Sequence, residues 1–410
     1  MTSADTLTSA DPAQKPAPLA SPAVRRALNI ADLQALAHRR MPRFAMDYVE
    51  AGADTESTLA RNRSVFEDFR LIPRTLVDVS QRGLGVPLLG RQIAAPLVVA
   101  PTGFNGILRR GADSMIALAA ARAGIPSTLS TVSNELLEDV AAASRQAGGH
   151  PWFQLYMLKE RSITEDLLQR ARVSGYETLV LTTDAVAFGH RERDLRNFSA
   201  PRELRLGARL NILRHPAWLL DVLLRAGPPD FANLKRYLPA DKRGWRESAA
   251  YVARQMDASL TGRDVVWLRA RWPGKLLVKG ITTAADALQA QAAGADGVVL
   301  SNHGGRQLDS SVSPLEDLAA VRQAVGPAFC VMVDSGFRRG ADVVKALALG
   351  ASAVMLGRPV LYGVAAGGEA GVYKALDLLC ADIDRVLGQL GLRSFEELGP
   401  DAVRGLGLRP

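Results

Sequence analysis

Short apolar runs alternate with helical patterns from about residue 96 to residue 358 of the chain. Eight runs, several of them rich in β-branched residues, are typical of buried strands: PLVVAP, PSTLS, WFQLY, TLVLTTD, KLLVKG, GVVLSNHG, CVMVDSG and AVMLGR. Helical segments such as SMIALAAARAG and ADVVKALALG separate most of them and end at a glycine that can cap a helix. Because eight parallel strands joined by crossovers close a barrel, the pattern predicts an α/β fold of the TIM (β/α)8 type.

The two ends of the chain lack this alternation of apolar runs and helical patterns. Residues 1–24 are rich in Ala, Ser, Thr and Pro and lack the apolar core of a signal peptide, which predicts a disordered tail. The following stretch, IADLQALAHRRMPRFAMDYVEAG, predicts two N-terminal amphipathic helices broken at Pro42. We expect the barrel to span residues 25–395, with a C-terminal tail over 396–410. A doubly wound open sheet is the alternative, although no G-x-G-x-x-G opens an early helix.

A long insertion, from about 198 to 274, separates the fourth strand from the fifth. Within it, residues 203–227 mix leucines and Trp218 with arginines, and Pro216 is expected to divide the segment into two helical pieces. One interpretation is a basic amphipathic surface on acidic lipid, with Trp218 at the interface. The other is a lid on the barrel or a subunit contact. The residues alone leave both open.

Composition narrows the classes of partner. The 410-residue chain carries a net charge of +8, which favours anionic partners such as carboxylates, phosphates or acidic lipids. It contains no recognisable nucleic-acid motif, so we expect no nucleic-acid partner. Its two cysteines, Cys330 and Cys380, give neither a disulfide framework nor metal-ligand spacing, which fits a reducing cytoplasm and predicts no metal. No apolar stretch reaches the roughly 18 residues of a spanning helix.

Polar and glycine residues follow the apolar runs at all eight predicted strand ends. In a TIM barrel the carboxyl ends of the strands assemble the active site, so these residues predict a functional rim. The rim residues are Pro101, Thr102, Gly103, Ser130, Gln154, Tyr156, Thr182, Asp184, Lys279, His303, Arg306, Asp334, Arg338, Gly357 and Arg358.

The last two strand ends predict an anion site. The segments VDSGFRRG and MLGRPV combine glycines, which let backbone N–H groups approach an anion, with the positive charges of Arg338 and Arg358. This is the usual position of a phosphate site in a TIM barrel. Lys279, at the end of the fifth strand, can hold a negative charge that builds on a bound ring, and a Schiff-base role is also open to it.

A second group of residues suits a carboxylate substrate. Arg191 and Arg306 can clamp a carboxylate because planar guanidinium groups match its geometry. His303 is a candidate proton acceptor, since its unperturbed pKa is close to operating pH, and Asp184 can fix its tautomer. The residues that can hydrogen-bond the same substrate are Tyr48 and Tyr156.

The motifs SNHGGRQLD, WFQLY, LVKG, DSGFRRG and LGRP resemble those of the FMN-dependent 2-hydroxy-acid oxidase and dehydrogenase family, over about residues 28–395. The segments APTG, LTTD, GHRERD, RQMDAS and WLRARWP are similar to its mandelate dehydrogenase and quinone-linked lactate dehydrogenase branch. The resemblance implies that FMN is the cofactor and that a mandelate-like or lactate-like (S)-2-hydroxy acid is oxidised to the 2-oxo acid. It also implies transfer of electrons to a membrane quinone, a homotetramer, and peripheral contact of residues 203–227 with the inner face of the cytoplasmic membrane.

The resemblance also implies a role for each matching residue. His303 would be the catalytic base, oriented by Asp184, whether it removes the α-hydrogen as a proton or the hydroxyl proton during hydride transfer. Lys279 would stabilise the reduced flavin. Arg191, Arg306, Tyr48, Tyr156 and Gly103 would contact the substrate. The cofactor contacts would be Pro101, Thr102, Ser130, Gln154, Thr182, Lys279 and Ser301 around the ring, and Asp334, Gly336, Arg338, Gly357 and Arg358 along the ribityl phosphate.

Three departures refine this picture. Gly103 replaces the alanine common among the oxidases, and in the family this glycine accompanies dehydrogenase or monooxygenase behaviour. Val132 stands where the glycolate-oxidising members have tryptophan, and Phe188 lies near the same wall, which argues against glycolate. The segment NFS (197–199) replaces the usual N-R-F, so pairings in that loop stay open. The alternatives are an oxidase that produces hydrogen peroxide, a phosphate-binding barrel with isomerase or lyase chemistry, and a non-catalytic flavin carrier.

Overall fold

The eight predicted strands form one closed barrel in the computed structural model, which describes residues 18–200, 203–225, 227–239 and 245–406. Neighbouring strands pair in parallel, and the barrel closes where Val354 of the last strand pairs with Leu97 of the first. The (β/α)8 prediction is therefore confirmed, and the open sheet is wrong. The barrel strands, in chain order, are Leu97–Val99, Ser127–Ser130, Pro151–Tyr156, Thr178–Thr182, Lys275–Ile281, Gly297–Leu300, Cys330–Val333 and Ala353–Leu356.

A small hairpin lies against the amino-terminal end of the barrel. Its strands, Val86–Leu88 and Arg91–Ile93, pair antiparallel, and their apolar side chains share one buried cluster with residues from inside the barrel such as Val180 and Val299. Arg91 of the hairpin forms an ion pair with Glu177, the residue before the fourth strand. This end is therefore filled, which leaves the carboxyl end for a site.

Helices surround the barrel in the order that the alternating pattern predicts. The helix Gly262–Arg271 begins with a capping box between Thr261 and Asp264 and leads directly into the fifth strand. This helix belongs to the ring, so the insertion is shorter than the predicted 198–274. The ring helices are Ala112–Arg122, Leu137–Gln146, Arg161–Val173, Gly262–Arg271, Ala284–Ala292, Leu318–Val325, Gly340–Ala348 and Arg358–Leu390, the last one broken at Gly368.

Segments outside the barrel fold further than predicted at both ends. The helices Ile30–Arg40 and Arg43–Glu50 confirm the break at Pro42 and are followed by the helix Ser57–Ser64. Of the predicted tail over 1–24, residues 1–17 lie outside the described residues, whereas Pro22–Arg25 form a helix that buries Val24. In the predicted tail over 396–410, the strand Val403–Gly405 pairs with Phe69–Leu71; residues 407–410 lie outside the described part.

The insertion covers the carboxyl end of the barrel. Its helix Leu206–Leu213 ends before Pro216, where Pro216–Trp218 begins a second helical piece that continues as a π-helical segment over Leu219–Leu224. The predicted division at Pro216 is therefore confirmed. Its other elements are the antiparallel strands Phe198–Ala200 and Glu203–Leu204, the 3-10 turn Lys235–Tyr237 and the helix Trp245–Gln255.

Trp218 contradicts the prediction of a membrane-interface side chain. It is buried, its indole N–H donates to the Ile107 carbonyl oxygen at 2.7 Å, and its ring meets Phe44 edge-on with centroids 5.4 Å apart. The tryptophan therefore anchors the insertion to the barrel loops. Within the described residues, no helix combines the length and apolar composition that crossing a bilayer requires.

Candidate active site

A cavity of about 940 Å³ opens over the carboxyl ends of the strands. The structure brings most of the predicted rim together around it. Ser130, Gln154, Thr182, Asp184 and Ser301 do not line the cavity but hydrogen-bond or pack at the same strand ends. The predicted residues that do line it are Tyr48, Pro101, Thr102, Gly103, Tyr156, Arg191, Lys279, His303, Arg306, Asp334, Gly336, Arg338, Gly357 and Arg358.

The turn after the sixth strand aims His303 at Asp184. His303, Gly304 and Gly305 all adopt left-handed backbone angles, with φ of 58°, 67° and 74°. His303 Nδ1 lies 2.8 Å from Asp184 Oδ1. Burial alone would raise the pKa of the Asp184 carboxyl, but the charges of His303 and Lys279 outweigh it, so the pKa lies below its ordinary value. An ionised Asp184 favours the tautomer with the proton on Nδ1, which leaves Nε2 as a proton acceptor.

Lys279 supplies a buried positive charge beside the same carboxylate. Its Nζ lies 3.1 Å from Asp334 Oδ2 and donates to Ser301 Oγ at 2.7 Å. Burial disfavours the charged amine, but Asp334 and Asp184 outweigh it, so the pKa of Lys279 is raised. The following residue, Gly280, has a φ of 102°, and a Cβ there would lie 2.7 Å from Asp184 Cβ. The close approach of these two strand ends therefore requires glycine.

Two guanidinium groups flank the ring of Tyr48. The Cζ atoms of Arg306 and Arg191 lie 5.3 and 5.7 Å from its centroid, and its hydroxyl donates to the Gly103 carbonyl at 3.1 Å. Arg306 donates to backbone carbonyls, including that of Tyr48 at 2.8 Å. Burial and the nearby charge of Arg191 lower the pKa of Arg306. An anion between these groups would offset both effects, as a substrate carboxylate can.

The cavity also holds a second pair of arginines, the partly buried Arg338 and Arg358. Arg358 donates from Nε to the Val49 carbonyl at 3.0 Å and from Nη1 to the Gly304 carbonyl at 2.9 Å. Burial lowers the pKa of both Arg358 and Arg338, and each therefore gains from a bound anion. The helix Arg358–Leu390 begins at this point, and the positive end of its dipole favours an anion. This part of the cavity suits a phosphate.

Buried polar atoms at the strand ends test whether FMN fits. Gln154 Nε2 and Thr182 Oγ1 are buried and have no hydrogen-bond partner in the part of the chain that the structure describes. Because such atoms are costly unless a ligand satisfies them, they indicate a polar ligand at the mouth of the barrel. Gln154 is itself oriented by Ser130, whose hydroxyl donates to Oε1 at 2.9 Å. A planar polar ring near Lys279, with a phosphate tail toward Arg338 and Arg358, fits this arrangement.

Several residues of the site were missed in the sequence. The apolar wall includes Phe104, whose ring lies 5.7 Å from that of Tyr48 and 5.8 Å from that of Phe231. Phe231 belongs to the insertion, and no motif connects it with the rim. Asn302 was overlooked beside His303, although its place inside SNHGG was a signal.

The model of the FMN-dependent dehydrogenase family matches residues 37–405. The chain belongs to this family. It is 47% identical to (S)-mandelate dehydrogenase of Pseudomonas putida, over 93% of this chain and 94% of the relative. It is also 41% identical to a putative L-lactate dehydrogenase of Mycobacterium tuberculosis, over 93% of this chain and 90% of that relative.

Solved structures show the same relationship. The crystal structure of the monotopic membrane protein (S)-mandelate dehydrogenase superposes with a TM-score of 0.88 at 47% identity, covering 93% of this chain and 100% of the other. Mandelate oxidase with (S)-4-hydroxymandelic acid gives a TM-score of 0.79 at 34% identity, covering 92% and 98%. The predictions of the family, of FMN as cofactor and of an FMN-dependent dehydrogenase are thereby confirmed. Membership favours flavin chemistry over the isomerase or lyase alternative.

Proposed function

We propose that this FMN-dependent dehydrogenase oxidises an (S)-2-hydroxy acid to the 2-oxo acid, with His303 as the proton acceptor. One observation carries the proposal: the Asp184-paired His303 lines the same cavity as the two guanidinium groups of Arg191 and Arg306. A base beside a carboxylate clamp suits a substrate whose reacting carbon bears the carboxylate. The names of the relatives, mandelate and lactate dehydrogenases, support the same substrate class.

Substrate binding follows from the charges and hydroxyls on one side of the cavity. The carboxylate binds between Arg191 and Arg306, because both guanidinium groups lie near Tyr48 and Arg306 is desolvated. The hydroxyls of Tyr48 and Tyr156 complete the polar contacts. Burial raises the pKa of Tyr156, so this phenol stays protonated and donates.

The reaction breaks the C–H and O–H bonds of the alcohol and forms a C=O bond, with loss of two protons and two electrons. His303 Nε2 accepts one proton, and the carboxylate of Asp184 stabilises the imidazolium that results. FMN, when bound, would accept the electron pair together with the other proton. Lys279 stabilises the negative charge that this transfer adds to the site.

The apolar wall indicates the kind of side chain on the substrate. Phe104, Ile107, Val132 and Phe231 line the cavity next to the arginine clamp. An aromatic ring buries more apolar surface there than a methyl group does. We therefore favour a mandelate-like acid, and anaerobic flavin bleaching by (S)-mandelate, L-lactate and glycolate tests the choice. Faster bleaching by lactate than by mandelate would reverse it.

His303→Ala tests the base directly. We expect FMN to remain bound and the rate of anaerobic flavin reduction to fall by at least about 10²–10⁴-fold, the usual contribution of a general base. His150→Ala is the matched control, because His150 is a half-exposed histidine near a carboxylate, Glu177, at the other end of the barrel. An unchanged rate in His303→Ala removes this histidine from the mechanism.

We also propose that the insertion rests on the inner face of the cytoplasmic membrane and that electrons pass there to a quinone. Five leucines of the segment are 54–72% exposed, and the exposed arginines Arg205, Arg209 and Arg214 lie among them. Apolar side chains beside basic ones suit an acidic bilayer surface. The structure named for a monotopic membrane protein supports the proposal by similarity. The leucines are Leu206, Leu210, Leu213, Leu220 and Leu224.

Replacing residues 203–227 with a short polar loop tests the membrane contact. The native protein should sediment with vesicles containing phosphatidylserine, and the replaced protein should not. A native protein that stays in the supernatant would mean that the segment is only a lid.

The electron acceptor is tested separately. Rapid reoxidation of reduced enzyme by a soluble quinone analogue supports the dehydrogenase, and rapid formation of hydrogen peroxide in air supports the oxidase. The homotetramer stays a prediction that light scattering can test.

A further inference from the structure

The helix Ser57–Ser64, outside the barrel, lies directly against two loops of the site. A Cβ atom at Gly305 would lie 2.7 Å from the Leu59 backbone nitrogen, and one at Gly336 would lie 1.8 Å from the Asn62 carbonyl oxygen. Both loops therefore approach the helix at a distance that only glycine permits. A shift of this helix would therefore move the turn that carries His303.

Asn62 extends this contact into the loop by a side chain. Its Nδ2 donates to Asn302 Oδ1 at 2.8 Å, and Asn302 Nδ2 donates back to Asn62 Oδ1 at 2.8 Å. Both residues are buried, with exposures of 1% for Asn62 and 6% for Asn302. A cyclic amide pair inside the protein satisfies both groups, and loss of either partner leaves a buried polar group unpaired.

The orientation of this pair follows from its backbone neighbours. Asn302 Oδ1 accepts from the Gly305 N–H at 3.1 Å, and Asn302 Nδ2 donates to the Val312 carbonyl at 3.0 Å. A backbone N–H can only donate and a carbonyl can only accept, so the Asn302 amide has one possible orientation. Asn62 must then present a donor to Oδ1 and an acceptor to Nδ2. A carboxylate cannot do both.

The bond from Gly305 to Asn302 closes the left-handed turn that contains His303. A left-handed backbone is unfavourable for a residue with a side chain and persists only where its surroundings hold it. Asn302 Oδ1 also accepts from the Ser335 hydroxyl at 2.9 Å, which connects the turn with the next strand end. Neither Asn62 nor Asn302 lines the cavity. We propose that Asn62 is a positioning residue, which acts through Asn302 to aim His303 at Asp184; the inference rests on the proposed role of His303 as the base.

Asn62→Asp is the most direct test, because it preserves size and replaces the amide donor by a negatively charged acceptor oxygen. In the full-length FMN-loaded protein, we expect flavin reduction by (S)-mandelate to slow by about 10–100-fold, as for small misplacement of a catalytic group. The dissociation constant of the substrate and the FMN content should change little, since Asn62 does not line the cavity. A reduction rate within twofold of the native value would overturn the proposal.

A double-mutant cycle tests whether Asn62 acts through Asn302. Because Asn62 is proposed to act through Asn302, the flavin of the double variant Asn62→Ala/Asn302→Ala should be reduced no more slowly than that of Asn302→Ala alone. Losses that multiply in the double variant would mean that Asn62 acts by another route. The alanine series also keeps the proposal testable if Asn62→Asp does not fold.

Asn233→Asp is a matched control for general destabilisation. Asn233 is fully buried, and its amide accepts from the Leu137 N–H at 2.8 Å, away from His303. We expect this variant to lower Tm and leave the reduction rate unchanged. An equal slowing in Asn233→Asp would assign the effect of Asn62 to stability alone.

A measurement that does not depend on turnover completes the test. The chain has five histidines, so ¹⁵N-histidine labelling gives few signals, and the His303 signals are those absent from His303→Ala. Loss of the hydrogen bond to Asp184 in Asn62→Asp should shift the Nδ1 signal toward that of a solvent-exposed imidazole. An unmoved signal contradicts the proposal. If no hydroxy acid reduces the native flavin, the proposed function fails, but this signal still decides the role of Asn62.

Discussion

The barrel side and the insertion side of the cavity differ in how their side chains are held. On the barrel side, Lys279, Asp334, Ser301 and His303 are held by hydrogen bonds and ion pairs of 2.7–3.1 Å. On the insertion side, the helix Leu206–Leu213 leaves most of its leucines in solvent, and its described hydrogen bond to the N-terminal helices runs from the Arg43 N–H to Asn211 Oδ1.

The difference follows from what each side must contact. Buried charges are tolerated only with fixed partners, so the barrel side holds its functional groups in one arrangement before any ligand binds. Exposed apolar side chains in a row are typical of a surface that contacts a partner, which is the basis of the proposed membrane contact of the insertion. The barrel side is thus suited to precise placement of functional groups, and the insertion side is suited to a variable surface contact.

Lys279→Met gives the largest expected effect on the barrel side. It leaves the buried carboxylates of Asp334 and Asp184 without their cation, which should lower the free energy of unfolding by about 3–5 kcal/mol. Lys275→Met is the control on the same strand, because Lys275 pairs with Asp296 near the surface and should contribute less than about 1 kcal/mol. Urea denaturation measures both. Equal losses would contradict the fixed, buried character of the rim.

Leu210→Gln/Leu213→Gln gives the largest effect on the insertion side. Each exposed leucine that enters a bilayer gains up to about 1.5–3 kcal/mol, so vesicle binding should fall by more than about tenfold. Flavin reduction should not change, because neither leucine lines the cavity. Leu288→Gln, at an exposed leucine on a ring helix, should leave vesicle binding unchanged. A slower flavin reduction in the double variant would show that the two sides are not separate.

Gly103→Ala tests the boundary between the two sides. The added Cβ would lie 2.4 Å from Val132 Cγ2, and such overpacking typically costs about 1–3 kcal/mol. If Val132, which lines the cavity, relieves this clash by moving toward the substrate, we expect the dissociation constant of (S)-mandelate to rise by roughly tenfold, which corresponds to about 1.4 kcal/mol. Removing the clash in Gly103→Ala/Val132→Ala should restore most of the affinity. No recovery would mean that the glycine matters for its backbone and not for the space beside it.

The sequence was informative where the determinants are local. Apolar runs followed by polar residues predicted all eight strands and brought His303, Arg306 and Lys279 to one rim, because parallel strands share a carboxyl edge. Trp218 was misplaced, since an amphipathic pattern does not distinguish a lipid from a protein surface. The helix Gly262–Arg271 was assigned to the insertion because the long gap obscures where the barrel resumes.

Other features depend on contacts that no local pattern encodes. Asn62 pairs with a residue 240 positions away, and nothing in its own helix distinguishes it from a core asparagine. Phe231 reaches the cavity only because the insertion folds over it. Sequence motifs therefore identified the groups that are proposed to react, whereas the residues proposed to position them required the fold.

The smallest expected effect concerns the outer edge of the His303 loop, where Asp309 caps the helix Ser57–Ser64. Its Oδ1 accepts from the Thr58 N–H at 2.8 Å, and its Oδ2 accepts from the Thr55 N–H at 3.1 Å. Partial burial opposes ionisation, but the hydrogen bonds from Thr55, Thr58 and Ser57 outweigh it and lower the pKa of Asp309. A carboxylate at a helix N-terminus stabilises by about 0.3–1 kcal/mol.

The sign of the pH dependence is fixed by that lowered pKa. The folded state binds fewer protons at Asp309 than the unfolded state does, so its contribution is complete above the unfolded pKa of about 3.9 and is lost as the pH falls through the folded value. Asp309→Asn should therefore have a lower free energy of unfolding than the native protein at pH 7, and this difference should disappear below about pH 4. Asp377→Asn, at an exposed Asp–Lys pair, should show no such difference. If the stability difference between Asp309→Asn and the native protein stayed constant on acidification, the charge of Asp309 would not stabilise the outer edge of the His303 loop. The rim would then be less firmly fixed than its buried groups indicate.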